Sequence, residues 1–156
     1  MREIGLQVKP EFIVEGDHRL EGGKLALQKL SRLREQPTAL MCSNDMTAIG
    51  VMRQAFDLGI GVPHELSVIG FDDTRRADFM IPPLTTIQMS QAELATLAFN
   101  ALLKEVKREA PAPNGTEFVL KTQLILRNST TFPSSNNQVK QGSIPRRSSP
   151  APQGKE

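Results

Sequence analysis

Leu66-Ser67-Val68-Ile69-Gly70-Phe71-Asp72-Asp73 is the stretch that decides the fold. From Leu66 to Phe71 the residues are mostly apolar and β-favouring, and then two carboxylates arrive together. A short apolar run of this kind reads as a strand buried on both faces, as in a parallel sheet. Gly70 runs against that reading, because glycine lowers strand propensity. In open α/β sheets the ligand crevice lies beyond the carboxyl ends of the strands. Asp72 and Asp73 would stand there.

On the N-terminal side the same pattern recurs. Phe12-Ile13-Val14 is a short strand candidate closed by Glu15-Gly16-Asp17-His18. Leu20 to Leu33 has helical spacing through Leu20, Ala26, Leu27, Leu30 and Leu33, although Gly22-Gly23 weakens its first turn. Thr38 to Cys42 is a second apolar strand. Asp45 is a good N-cap for a helix from Met46 to Leu58, with Gly59 as its C′ residue. That helix is apolar nearly all round: Met46, Ile49, Met52 and Phe56 on one side, Ala48, Val51, Ala55 and Leu58 on another. Two apolar faces need two neighbours, either within one domain or with one face meeting a second subunit.

On the C-terminal side, Thr74 to Met80 reads as a short helix or an irregular loop, ended by Pro82-Pro83. Leu84 to Met89 is extended, and Gln91 to Arg108 is helical, with Leu94, Leu97, Ala98, Ala101, Leu102 and Val106 on one stripe. Pro111 to Gly115 is a turn cluster. Glu117 to Leu126 alternates with one polar face, as an edge or antiparallel strand does. From residue 134 to 156 Ser, Asn, Gln, Pro and Gly dominate, so this tail is expected to be disordered.

Composition limits the function. The 156 residues suffice for one domain with a core, which must be built from aliphatic residues plus seven Phe because there is no Trp or Tyr. Cys42 is the one cysteine, so no intramolecular disulfide is possible, and its place in an apolar run favours a structural role. Neither a signal core nor a run of ~18 apolar residues is present, so a cytoplasmic location is expected. The net charge of +2 sits in the tail: residues 1–133 hold 15 basic and 16 acidic residues, residues 134–156 four basic and one acidic. The folded part is therefore not a basic surface for nucleic acid.

Strands 12–14, 38–42 and 66–71 with helices between them make βαβ units and a parallel sheet. Right-handed crossovers place their exit loops on one edge. Those loops carry Asp17 and His18, Asn44 and Asp45, and Asp72 and Asp73. Such a rim of paired donors and acceptors suits a polyol or sugar. Strand-end Asp and Asn are also common as caps and turn residues, and Asp45 is better read as a cap than as a ligand contact. Enzyme readings find little support. With two histidines, no Gly-x-Ser-x-Gly elbow, no metal-spaced Cys or His and no phosphate-binding glycine loop, neither catalytic residues nor a metal or cofactor are expected.

Four motifs in order resemble the lactose-repressor/galactose-repressor (LacI/GalR) family of bacterial transcription regulators. They are Pro37-Thr38-Ala39-Leu40-Met41-Cys42-Ser43-Asn44-Asp45-Met46-Thr47-Ala48-Ile49-Gly50, the stretch Leu66 to Asp73, Pro82-Pro83-Leu84-Thr85-Thr86-Ile87, and Leu124-Ile125-Leu126-Arg127-Asn128-Ser129-Thr130. The resemblance covers roughly residues 5 to 133. It implies an α/β fold, a parallel sheet flanked by helices, corresponding to the C-terminal lobe of a type I periplasmic-binding-protein-like effector domain. It further implies that Asn44 and Asp72 hydrogen-bond a small effector, often a sugar or nucleobase, that His18 falls where an aromatic wall is common, and that Gln91 lines the pocket. Met89 stands where a polar side chain is frequent. Met46–Leu58 and Arg75–Pro82 resemble the family's dimer surface.

The departures are equally plain. The DNA-binding helix-turn-helix, the hinge helix and most of the first lobe are not among these residues, and about 87–116 would belong to that first lobe. The expectation is a partial chain, residues 1–133, that senses an effector and forms a homodimer through Met46–Leu58 within a DNA-binding regulator. DNA would be reached only through a helix-turn-helix outside this chain. The alternatives are a stand-alone sugar-binding module and a dimerisation fragment that binds no ligand.

Overall fold

The computed structural model describes residues 8–107 and 117–133, so the Pro111–Gly115 turn, Arg108 and the tail from Ser134 lie outside the described residues. Along the chain run α1 (Leu20–Leu30), β1 (Ala39–Met41), α2 (Asp45–Leu58), β2 (Ser67–Phe71), α3 (Arg75–Asp78), β3 (Thr85–Met89), α4 (Gln91–Val106) and β4 (Thr122–Ile125). The strands form one sheet in the order β1-β2-β3-β4. β1, β2 and β3 are parallel, with Met41 opposite Ile69 and Phe71 opposite Ile87. β4 is antiparallel to β3 as expected, but only Thr122–Ile125 of the expected Glu117–Leu126 is strand, and Leu124 and Leu126 on its expected apolar face are exposed.

The candidate strand at Phe12–Val14 is not one. Pro10–Phe12 forms a short 3-10 turn with Pro10 at its start, and Ile13 is 71% exposed. Proline at the first position pre-sets the turn, and an apolar run that packs against nothing gains little from extension. The first parallel unit is therefore β1-α2-β2 rather than one beginning at residue 12.

Right-handed crossovers along a sheet whose order advances steadily put α2 and α3 on the same face. The core lies there: Leu27, Val51, Met52, Ala55, Val68, Ala77 and Leu84 form one buried cluster. β2 is consequently not buried on both faces as its composition suggested. Val68 and Gly70 are buried against the helices, whereas Ser67, Ile69 and Phe71 on the other face are half-buried. Met41 of β1 is 70% exposed.

α1 and α2 cross at two glycines. A Cβ on Gly50 would stand 2.0 Å from the Leu20 carbonyl oxygen, and one on Gly23 would stand 2.1 Å from that of Thr47. Gly22-Gly23 therefore does not delay the helix; Gly23 is the contact that lets it dock. With α1 on one side and the sheet on another, Ala48, Val51, Met52 and Ala55 are all buried. The open side of α2 holds Met46, Ile49, Arg53 and Phe56, and Val51 belongs to the core. Past β4, Ser129 extends the sheet in place of a strand. Its carbonyl accepts from the Val68 N–H at 2.8 Å, its hydroxyl donates to the Val68 carbonyl at 2.6 Å and accepts from the Thr85 N–H at 2.7 Å.

Candidate functional site

The loops leaving β1 and β2 sit side by side because those strands are paired to their ends: the Cys42 N–H donates to the Ile69 carbonyl at 2.9 Å. Asn44 is the N-cap of α2. Its extended backbone (φ −156°, ψ 170°) lets Oδ1 accept from the Thr47 N–H at 2.9 Å, and its Nδ2 donates to the His18 carbonyl at 3.0 Å. Asp45, expected as the cap, is instead the first residue inside the helix and is 0% exposed. The cap must be the last extended residue before the helix, and here that is the residue one earlier.

Asp45 turns inward. Its Oδ2 accepts from the Thr74 N–H at 2.7 Å and from the Thr74 hydroxyl at 3.0 Å, and its Oδ1 accepts from the Thr86 hydroxyl at 2.6 Å. A buried carboxylate is tolerated when its lone pairs are filled in this way. The residue ties the start of α2 to the loop after β2 and to β3.

His18 has φ 60° and is exposed, with Nδ1 3.1 Å from the Ser43 hydroxyl. Asp72 has φ 115° and is half-buried. Burial pushes the Asp72 carboxyl above the ordinary carboxylate range, and the Asp45 charge adds to that; the Asp45 backbone N–H and His18 draw it back. His18, Asn44 and Asp72 thus share one sheet edge, the carboxyl ends of β1 and β2. Gln91 stands apart, exposed at the first position of α4 beyond the end of β3. Met89, before it, is half-buried.

Asp73, at φ 52°, points elsewhere. Its Oδ1 pairs with Arg127 Nη2 at 2.7 Å and its Oδ2 accepts from Gln88 Nε2 at 2.7 Å. The two adjacent carboxylates therefore have separate surroundings and do not form an acid/base pair. Among the described residues no group of three or more His, Cys, Asp or Glu is placed to hold a metal ion. Burial pushes the Cys42 thiol up to about 12, with the Asp45 charge adding to it, so Cys42 is a poor nucleophile.

A periplasmic binding protein-like domain model matches residues 1–130. The transcriptional repressor PurR of Actinobacillus pleuropneumoniae is 36% identical over 129 residues, covering 83% of this chain and 38% of its own. The repressor CytR of Escherichia coli is 36% identical over 130 residues with the same coverage. A LacI-family regulator of Mycobacterium smegmatis has a similar structure at TM-score 0.74 and 25% identity, covering 85% of this chain and 49% of its own. One from Lactobacillus casei with bound sucrose has TM-score 0.67 and 28% identity, covering 83% and 47%.

The chain belongs to the LacI/GalR family, as part of its periplasmic-binding-protein-like domain.

It spans less than half the length of these relatives, which are repressors rather than enzymes. No helix among the described residues is long and apolar enough to cross a membrane. In this LacI/GalR domain the rim residues named from sequence share an edge except for Gln91, but Asn44 spends both ends of its amide inside the protein. Asp45, Thr86 and Arg127, which hold the rim together, were not read as site residues. Asp45 stands on a strand-exit loop in the sequence reading, whereas Thr86 and Arg127 carry no signal beyond lying inside two of the family motifs.

Proposed function

We propose that this domain senses a small hydroxyl-rich molecule, sugar-like or nucleoside-like, on behalf of a DNA-binding transcription regulator. One observation carries the reading: Asp72, in a left-handed turn, shares the carboxyl-end edge of the sheet with His18 and Asn44. A half-buried carboxylate there can accept from two hydroxyls at once, and an exposed imidazole beside it can stack on a ring face or donate. A structural relative with bound sucrose supports the ligand class, and a repressor relative at 36% identity supports the regulator role. Gln91, at the start of α4 beyond the end of β3, would reach the ligand from the far side of the crevice; the expected boundary at about residue 87 does not hold, because Ile87 to Met89 are part of β3 in this sheet.

Because these 156 residues span less than half the length of the repressor relatives, affinity weaker than ~1 mM is expected for them alone. Titration of 15N-labelled protein with a panel of monosaccharides, disaccharides, nucleobases and nucleosides tests this. Shifts concentrated at residues 18, 44 and 72 support the reading. No shifts at this edge, with this chain or with one extended to a full first lobe, reject it.

A second reading is favoured by the commitment of both ends of the Asn44 amide: a dimerisation fragment without ligand function. The open side of α2 continues into a groove of about 550 Å³ lined by Ile49, Thr74, Arg75, Arg76, Phe79 and Met80, with Phe79 72% and Ile81 94% exposed. A second copy of this chain would cover that surface. Sedimentation of the wild type and of Phe79→Asp decides it: a dimer that the substitution converts to monomer supports the interface, and a monomeric wild type rejects it.

A further inference from the structure

Two consecutive non-glycine residues with positive φ, Asp72 at 115° and Asp73 at 52°, hold a backbone conformation that side chains disfavour. Such a turn persists only where its surroundings over-determine it. Backbone and side chains both restrain this one: the Asp72 N–H donates to the Ile87 carbonyl at 2.9 Å, the Asp73 carboxylate accepts from Arg127 and Gln88 at 2.7 Å each, and one buried hydroxyl joins the turn to Asp45. Thr86 Oγ1 donates to Asp45 Oδ1 at 2.6 Å and accepts from the Asp73 N–H at 3.4 Å. The other carboxylate oxygen of Asp45 accepts from both the N–H and the hydroxyl of Thr74, at 2.7 and 3.0 Å. Thr86 and Asp45 are each 0% exposed. A hydroxyl has one proton and two lone pairs, so when the proton goes to Asp45 the Asp73 N–H finds an acceptor. The turn is thus gripped at residue 73 by Thr86 and at residue 74 by Asp45.

The sequence accommodates this relay at one further position. A Cβ on Gly70 would lie 2.3 Å from Asp45 Oδ1. The glycine that weakens β2 leaves the space through which the carboxylate reaches Thr86.

We infer that Thr86 is a positioning residue, whose hydroxyl, acting through Asp45, sets the left-handed turn that presents Asp72 at the sheet edge. This rests on the proposed sensing role only for what Asp72 contacts; the turn itself can be read without any ligand.

The test uses NMR of the 15N-labelled 156-residue chain as wild type, Thr86→Val and Thr86→Ser. In the wild type the Asp73 and Thr74 amides should exchange slowly for a loop, and the three-bond HN–Hα couplings of Asp72 and Asp73 should lie below extended-strand values, as φ of 115° and 52° requires. Thr86→Val should lose that protection and move both couplings toward extended values, while amides in α2 and β2 stay protected. Thr86→Ser, which keeps the hydroxyl, should restore both. Unchanged couplings and protection in Thr86→Val overturn the inference, as does a Thr86→Ser chain that behaves like Thr86→Val. If Thr86→Val does not fold, the wild type still decides: Asp73 and Thr74 amides exchanging at open-loop rates overturn it. A chain that shows this pattern, while neither it nor its form extended to a full first lobe gives shifts at residues 18, 44 and 72 with any ligand of the panel, supports the relay and rejects the sensing role. A chain that binds sugar with the couplings unchanged in Thr86→Val does the opposite.

Discussion

Asp72 sets the chemistry of the edge because two effects on its carboxyl act in the same direction. Burial raises it and the Asp45 charge raises it further, so the folded state holds the Asp72 proton more tightly than the unfolded chain does. An acid raised in this way contributes stability that is fully present below its ordinary value and is lost as pH rises through its folded midpoint. Asp72→Asn removes that loss. It should unfold at higher denaturant than the wild type near neutral pH, and the advantage should shrink as pH falls below the carboxylate range. Paired urea titrations at the two pH values check it, and an advantage that grows toward acid pH contradicts it. Cys42 follows the same sign at the other end of the scale. Its thiol, raised from 9.0 to about 12 and 7% exposed, should resist alkylation in the native chain and react fully in denaturant, and its contribution to stability should fall between those two pH values. At this scale the sequence was legible for Asn44 and Asp72, whose place follows from where the strands end. It was not legible for Asp45. Which of two adjacent cap-forming residues takes the cap depends on the last extended backbone residue, and a neighbour's inward turn depends on Thr74 and Thr86, 29 and 41 residues away.

At the level of elements, local signals served where they act locally. Gly59 ends α2 with φ 74°, and Ser90 caps α4 by accepting from the Glu93 N–H. The signals misled where the neighbour decides. Phe12–Val14 has strand residues but no packed partner, and Gly23 marks a crossing rather than a weak start. That crossing carries a prediction. A methyl group at Gly50 would stand 2.0 Å from the Leu20 carbonyl, which is backbone and cannot rotate away. Gly50→Ala must therefore push α1 off α2, despite alanine's higher helix propensity. Overpacking of this kind typically costs about 1–3 kcal/mol. Thermal unfolding should show a fall in Tm, whereas Gly61→Ala, whose Cβ would meet the Glu65 side chain at 3.2 Å, should change it much less. Equal Tm for Gly50→Ala and wild type would mean that the helices do not cross at this glycine.

Across the whole molecule the helices of the core lie on one face of the sheet, and α4 has left that arrangement. None of its residues is buried. Phe99, Leu102 and Val106, at helical spacing on one side, are 62%, 62% and 74% exposed. The periodicity of α4 was fully legible in sequence, but a hydrophobic stripe reports only that a helix has an apolar side. It does not name the surface that covers it, and in this chain that surface is not among the described residues. Contiguous apolar surface of this size drives association. The double substitution Phe99→Glu, Leu102→Lys keeps the net charge at +2 and breaks the stripe without touching the buried cluster around Val51, Val68 and Leu84. Surface changes away from a core usually alter stability by less than about 0.5 kcal/mol. The double variant should therefore show less concentration-dependent scattering than the wild type at unchanged urea midpoint. A large fall in the midpoint would show that α4 is packed against the rest of the chain in solution. An unchanged scattering profile would trace association to the groove beside α2, where the Phe79→Asp substitution then becomes the discriminating measurement.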